Sequence, residues 1–296
     1  MMRRFAANVD VDSLHLYAAI HALDPSEATE AVWEQGVPRF LELFERLQIR
    51  ATFFVVGSDL ERAGPRRIAA QAVAAGHELA SHTWSHPYNL IHLETAQIRE
   101  EIEAAERIIS EVRGEPVRGF RAPGYNICPK VAEILRERGY AYDSSLFPCP
   151  IYYAARAGAI AAIRLAGRRS HSIVGVPQAA FSPRLPHTYQ GLLEFPMTVL
   201  PGVRLPVIGT SLTLMGTAGV RLIAPILGRL SFVNLEFHGI DLLDATDLPG
   251  ASLVDHQADL RIPVARKMRI FSDALSASSQ RAQNDTLESF ALEQGA

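Results

Sequence analysis

Residues 51–82 read ATFFVVGSDLERAGPRRIAAQAVAAGHELASH. The run ATFFVVG at 51–57 is apolar, with β-branched and aromatic side chains, and predicts a strand. PRRIAAQAVAA at 65–75 predicts a helix, with Pro65 suited to its first turn and Gly76 ending it. HELASH then reads as a second strand. A strand, a helix and a strand in so short a stretch form one βα unit of a parallel sheet or barrel.

Working outward, FAANVDV at 5–11 reads as the first strand. After Gly36, the residues Val37, Phe40, Leu41, Phe44 and Leu47 recur at helical spacing and predict one buried helix face. Residues 94–112 predict another helix, with Ile98, Ile102, Ala105, Ile109 and Val112 on one face and Gly114 and Pro116 as its stop. VRGFRAP, a short helix near 129–138 and YAYDSS continue the alternation. From about 150 to 190 the rhythm changes to an Ala-rich apolar helix, the basic patch GRRSH and a Pro-containing loop, after which LLEFPMTV and FVNLEFHGID read as two more strands. Strand ends near 11, 57, 82, 123, 145, 199 and 241 predict an α/β fold, a single distorted and incomplete (β/α) barrel of about seven parallel strands. The domain is expected to cover residues 1–278 with an apolar insertion at about 150–190, and the polar stretch 279–296 is expected to be a disordered tail.

Composition narrows the partners. With 48% hydrophobic and 21% charged residues among 296, the chain is globular. A net charge of -3 gives no basic footprint for nucleic acid. Two cysteines, Cys128 and Cys149, make no disulfide framework. The N-terminus has no signal-peptide apolar region, so a cytoplasmic location is expected. IYYAARAGAIAAIRLAG at 151–167 is interrupted by Arg156 and Arg164 and is too short to span a bilayer.

In a barrel of this kind the C-terminal ends of the strands converge on one face. Those ends carry Asp10 and Asp12, His82 and His86 (in ASHTWSHP, 80–87), Arg121, Asp143, and His238 with Asp241. Two histidines and one carboxylate suit a divalent metal, most often zinc, and Asp12, His82 and His86 make such a set. Residues two apart on a strand share a face, so Asp10 and Asp12 can address one pocket with separate roles. Each motif alone also has a bland reading: a D-x-D is usually a solvated strand end, and histidines near a turn are usually surface groups. Their coincidence at the ends of separate strands favours a site.

NVDVD, SHTWSH, GFRAPGYN, YDSSLFP and LEFHGID, in this order over about residues 5–245, resemble the motif series of the polysaccharide deacetylase family, the NodB-homology group of carbohydrate esterases, in a branch with D-x-D as first motif. The resemblance implies Asp10 as catalytic base, a metal triad of Asp12, His82 and His86, Arg121 holding Asp10, and His238 as general acid. It also implies a metal-activated water attacking an amide carbonyl, with the oxyanion supported by backbone N–H groups after Pro123 and the leaving amine protonated by His238. The expected activity is metal-dependent removal of an acetyl or formyl group from an amino sugar, lipid-linked or oligosaccharide. A cyclic amide hydrolase on the same scaffold and a non-catalytic carbohydrate-binding relic are the alternatives. Asp241 is the expected orienting partner of His238. His77 is expected to pack beneath the site, Asp143 to brace a loop, and His92, His171, His187 and His256 to stay outside it. A further expectation is that the apolar stretches of 150–230, with Arg164, Arg168 and Arg169, approach the inner face of a membrane where a glycolipid would be presented.

Overall fold

The computed structural model describes residues 2–165, 167 and 170–295; Arg168 and Arg169 lie outside the described residues. Nine strands form one sheet: β1 Arg3–Val11, β2 Ala51–Val55, β3 Glu78–Ser81, β4 Gly119–Phe120, β5 Tyr142–Asp143, β6 His187–Tyr189, β7 Leu192–Glu194, β8 Phe232–His238 and β9 Ala282–Asn284. The helices are α1 Leu14–His21, α2 Val37–Leu47, α3 Ala63–Ala74, α4 Thr95–Arg113, α5 Pro129–Glu137, α6 Pro150–Leu165, α7 Gly209–Leu227, α8 Leu253–His256, α9 Val264–Ser279 and α10 Leu287–Leu292.

The strand order is β6-β7-β5-β4-β3-β2-β1-β8, with β9 beside the start of β1, and every pairing is parallel except β6 with β7. The seven strands read from the sequence are all present; β1 starts two residues earlier and the others are shorter. LLEFPMTV is strand only to Glu194, two residues before Pro196, which has no N–H to give a ladder. The gap between β7 and β8 is bridged by the chain after β7: Thr198 N–H donates to the Asn234 carbonyl, and Asn234 N–H donates to the Thr198 hydroxyl. A parallel bridge between Ile208 and Glu236 continues the closure. The sheet is thus curled into a half-barrel.

Alternation along β1 separates two interiors. Phe5, Ala7, Val9 and Val11 pack outward under the helices with Phe40, Phe53 and Phe237, whereas Ala6, Asn8 and Asp10 face the barrel axis. The lower axis is lined by Ala6, Phe54, Ala80, Tyr142, Phe195 and Phe232, with the Glu78 carboxyl accepting from the Thr52 and Tyr142 hydroxyls. It is sealed by α10, which corrects the expected disordered tail. Leu287, Phe290 and Ala291 are fully buried against these residues, and the Leu287 N–H donates to the Thr52 hydroxyl. Their i, i+3, i+4 spacing is a helical face too short to stand out in a polar stretch.

His77 sits at the N-terminal end of β3, packed edge-on to Phe53, and its Nδ1 accepts the Ala51 N–H at 3.1 Å. Burial, aided by Arg50, pulls its pKa down to about 4. The unfolded chain, with an ordinary imidazole near 6.5, binds the proton first, so this contribution to stability is complete above pH 6.5 and is lost as pH falls towards 4. From pH 7 to pH 5 the loss is about 2 kcal/mol. His77→Asn keeps an acceptor for Ala51 but cannot titrate. Raised carboxyls such as Asp241 act in the opposite direction in both proteins. Denaturant unfolding at the two pH values is therefore expected to show the smaller acid loss in the variant; equal losses would remove His77 from the account.

Candidate metal centre and catalytic residues

The register of the central strands sets the site. Asp10 on β1 lies opposite Phe54 of β2 on one side and His238 of β8 on the other, at the C-terminal ends of all three. Asp12 follows one residue beyond β1, in a segment fixed by Ser13, whose hydroxyl donates to Asp59 at 2.6 Å. Asp59 also accepts from the Trp33 indole and from Arg62.

His82 follows β3 directly, and His86 closes a tight loop rather than a helical turn. Thr83 (φ 66°) and His86 (φ 57°) are both left-handed, a strained state for a β-branched threonine. What holds the loop is Glu101 of α4, whose carboxylate accepts from the Trp84 and Ser85 N–H groups at 3.1 and 2.8 Å and from the Ser85 hydroxyl at 2.7 Å. Trp84 covers this loop from outside; its ring and Ala105 leave no space for a side chain at Gly57.

Asp12, His82 and His86 are all buried, with ligand atoms within 4.8 Å of one another. His82 Nε2 lies 3.4 Å and His86 Nε2 3.5 Å from the same oxygen of Asp12. The Nδ1 of His82 is 2.7 Å from the Arg121 carbonyl, which requires Nδ1–H and leaves the Nε2 lone pair towards Asp12. Neither nitrogen of His86 nor Oδ1 of Asp12 has a hydrogen-bond partner. Burial pulls the His82 pKa down to about 3 and that of His86 well below its usual value, so both rings are neutral. Two neutral imidazoles and a carboxylate oxygen, buried and unpartnered, are the donor set of a divalent cation, and the residues fit one.

Arg121 is fully buried and makes four hydrogen bonds: to Asn8 at 2.6 Å, to Asp10 Oδ1 at 2.5 Å, and to the carbonyl and hydroxyl of Ser144 at 2.7 and 2.8 Å. Its guanidinium also stacks 4.1 Å from the Phe54 ring. Asp10 therefore has one oxygen fixed, while Oδ2 faces His82 at 3.9 Å. On the opposite side, His238 Nε2 points at Asp12 from 4.0 Å and Nδ1 lies 2.8 Å from Glu236. Burial pulls the His238 pKa down, but Glu236, Asp10 and Asp12 outweigh it and raise it well above the usual value. The ring carries a proton.

The expectation for Asp241 is corrected here. Its carboxylate accepts the backbone N–H of His238 at 2.8 Å and caps the turn, whereas the imidazole is oriented by Glu236, which also accepts the Tyr125 hydroxyl at 3.1 Å. Glu236 and His238 are two apart on one strand, the same spacing that links Asp10 and Asp12, so an E-x-H signal was available in the sequence. Glu101 had none, being one acid among several on α4. Asp143 braces Ser145, whose hydroxyl holds the Ala122 N–H. His92, His171, His187 and His256 are absent from the pocket lining, while His21, unremarked in the sequence, borders it.

A profile of the polysaccharide deacetylase family matches residues 29–142. Over that stretch the chain is similar to the polysaccharide deacetylases. The match includes His82, His86 and Arg121, while Asp10, Asp12 and His238 lie outside it. A peptidoglycan deacetylase of Helicobacter pylori is 28% identical over 145 residues, 48% of either chain. A chitooligosaccharide deacetylase of Bradyrhizobium is 34% identical over 87 residues, 29% of this chain and 38% of that one. The matched stretch spans about half, or less, of these curated relatives. The solved structure of a Mycobacterium smegmatis protein assigned to the polysaccharide deacetylases has a TM-score of 0.61 at 18% identity, covering 99% of this chain and 91% of that one. The two share a fold.

Proposed function

We propose that this chain is a metal-dependent hydrolase that removes an N-acyl group, acetyl or formyl, from an amino sugar. The observation that carries the reading is the buried, unpartnered Asp12–His82–His86 set between an ion-paired carboxylate and a protonated imidazole. Bound by those three residues, a divalent ion such as zinc supplies a polarised carbonyl and a water of lowered pKa. Asp10, its Oδ1 fixed by Arg121, presents Oδ2 to take the water proton. His238, held at Nδ1 by Glu236, presents Nε2–H to the departing amine. The Tyr125 N–H is already given to the Ala122 carbonyl, which leaves Gly124, on the pocket wall, as the backbone donor to the oxyanion. The D-x-D spacing divides base and ligand between Asp10 and Asp12.

Incubation with N-acetylglucosamine oligomers is expected to release acetate and free amine in equal amounts, to stop on chelation and to resume on adding zinc. Release that persists after full chelation overturns the metal dependence. Cleavage of small imides with no action on N-acyl sugars overturns the substrate class.

A further inference from the structure

We infer that the α6 side of the pocket is a docking surface for an anionic lipid bilayer, which presents the N-acyl sugar on a lipid carrier. The lipid carrier rests on the hydrolase reading above; the surface stands on its own observations.

The first is an apolar helix that the fold leaves uncovered. Of the sixteen residues of α6, PIYYAARAGAIAAIRL, only Tyr153 and Ile160 are buried, and the only charged ones are Arg156 and Arg164. A helix on a soluble domain normally turns one apolar stripe inward and a polar face to water. Here the outward face is alanine, glycine, isoleucine and leucine, with Ile151 55% and Leu165 90% exposed. An exposed apolar patch of this kind marks a contact site.

The second is continuity with the catalytic pocket. The cavity, about 710 Å³, has the metal and acid–base residues on its floor and Ile151, Tyr152, Ala155 and Ala159 of α6 on its wall. Leu205 and Leu214 line the facing wall and are themselves 41% and 67% exposed. The pocket therefore opens onto the apolar face, so a substrate entering from that side keeps an apolar tail against it.

Charge decides which apolar partner fits. Residues 144–235 hold eight arginines, no lysine and a single acid, Glu194, which is buried, in a chain whose net charge is -3. Among the described residues, no arginine of this segment is in a salt bridge, whereas Arg39, Arg62, Arg99, Arg113 and Arg138 elsewhere all are. Arg156, on the pocket wall, and Arg164, on the same helix, have no carboxylate partner among the described residues and complement a layer of anionic headgroups over hydrocarbon, whereas Arg184 and Arg229 lie with Phe232 at the far end of β8. The contact is peripheral. Among the described residues, the one helix long and apolar enough to cross a membrane, α7, is broken at Gly216 (φ 64°) and packs on α9 and β8 as part of the fold.

Sedimentation with vesicles tests this. The chain is expected to pellet with phosphatidylglycerol-containing vesicles at low salt, and to bind at least about tenfold less to pure phosphatidylcholine or in about 0.5 M salt, where the Debye length shrinks to a few ångströms. Ala161→Glu with Leu165→Glu places two acids on the exposed face away from the pocket lining. This variant is expected to lose vesicle binding about tenfold or more while hydrolysing soluble N-acetylglucosamine oligomers like the parent. A parent that hydrolyses soluble oligomers but ignores anionic vesicles overturns the surface and leaves the hydrolase standing. A concentration-dependent dimer that the variant abolishes also overturns it, by giving the face to a second copy. Vesicle binding with no hydrolysis of any N-acyl sugar, soluble or lipid-linked, upholds the surface and overturns the hydrolase.

Discussion

Asp10→Asn is expected to keep the metal and to lose turnover by about 10²–10⁴-fold, the contribution of a positioned general base, whereas Asp12→Ala loses both. The two carboxylates are two residues apart and face one pocket, yet their partners differ. Asp10 is bound by Arg121, and an asparagine oxygen there still accepts that hydrogen bond, so the pocket's shape survives while the proton acceptor is gone. Asp12 Oδ1 lies within 3.5 Å of both imidazole Nε2 atoms, and without it a cation bound by this set has only two protein ligands. Because Oδ1 of Asp12 makes no hydrogen bond, its removal is not expected to weaken the metal-free fold. Metal per chain by mass spectrometry, kcat on an N-acetyl sugar and a thermal midpoint for each variant check the three statements together. Parental turnover in Asp10→Asn would place the base elsewhere, and full metal content in Asp12→Ala would dissolve the triad.

What could be read in the sequence and what could not separates along a physical line. The strand and helix periods of residues 51–113 are local and long enough to show, and β2, α3, β3 and α4 lie where those periods put them. The residues at the strand ends followed from the barrel rule, and the structure brings Asp10, Asp12, His82, His86 and His238 to one pocket, with Arg121 buried behind Asp10. Groups that act through contacts distant in sequence left no comparable trace. Glu101 reaches the loop of Trp84 and Ser85 from another element, and α10 is defined by the barrel floor it fills rather than by its own pattern. Asp241 follows His238 in the LEFHGID motif and was the expected partner. In a strand, however, the side chain two residues away shares the face, and Asp241 lies past the strand's end where the chain turns.

Arg121→Met is expected to destabilise the fold by about 3–5 kcal/mol, the cost of leaving a buried charge without its partner. Arg121 joins four parts of the barrel: Asn8 and Asp10 on β1, Ser144 after β5, the Phe54 ring on β2, and, through its own carbonyl, the ring of His82. Methionine approximates the aliphatic stem, so the loss reports the charge and its hydrogen bonds rather than a cavity. Asp10 is then a carboxylate 1% exposed without its guanidinium partner, and Asn8 loses a donor. If the ion pair is the source, neutralising Asp10 as well must recover part of the loss, and Arg121→Met with Asp10→Asn is expected to be more stable than Arg121→Met alone by at least about 1 kcal/mol. Urea unfolding of the four proteins closes this cycle. A single-variant loss below about 1 kcal/mol, or a double variant no better than the arginine variant, would show that Arg121 serves packing and not Asp10. Asp10 and the cation that stabilises the barrel would then be separate devices, whereas the geometry makes them one pair.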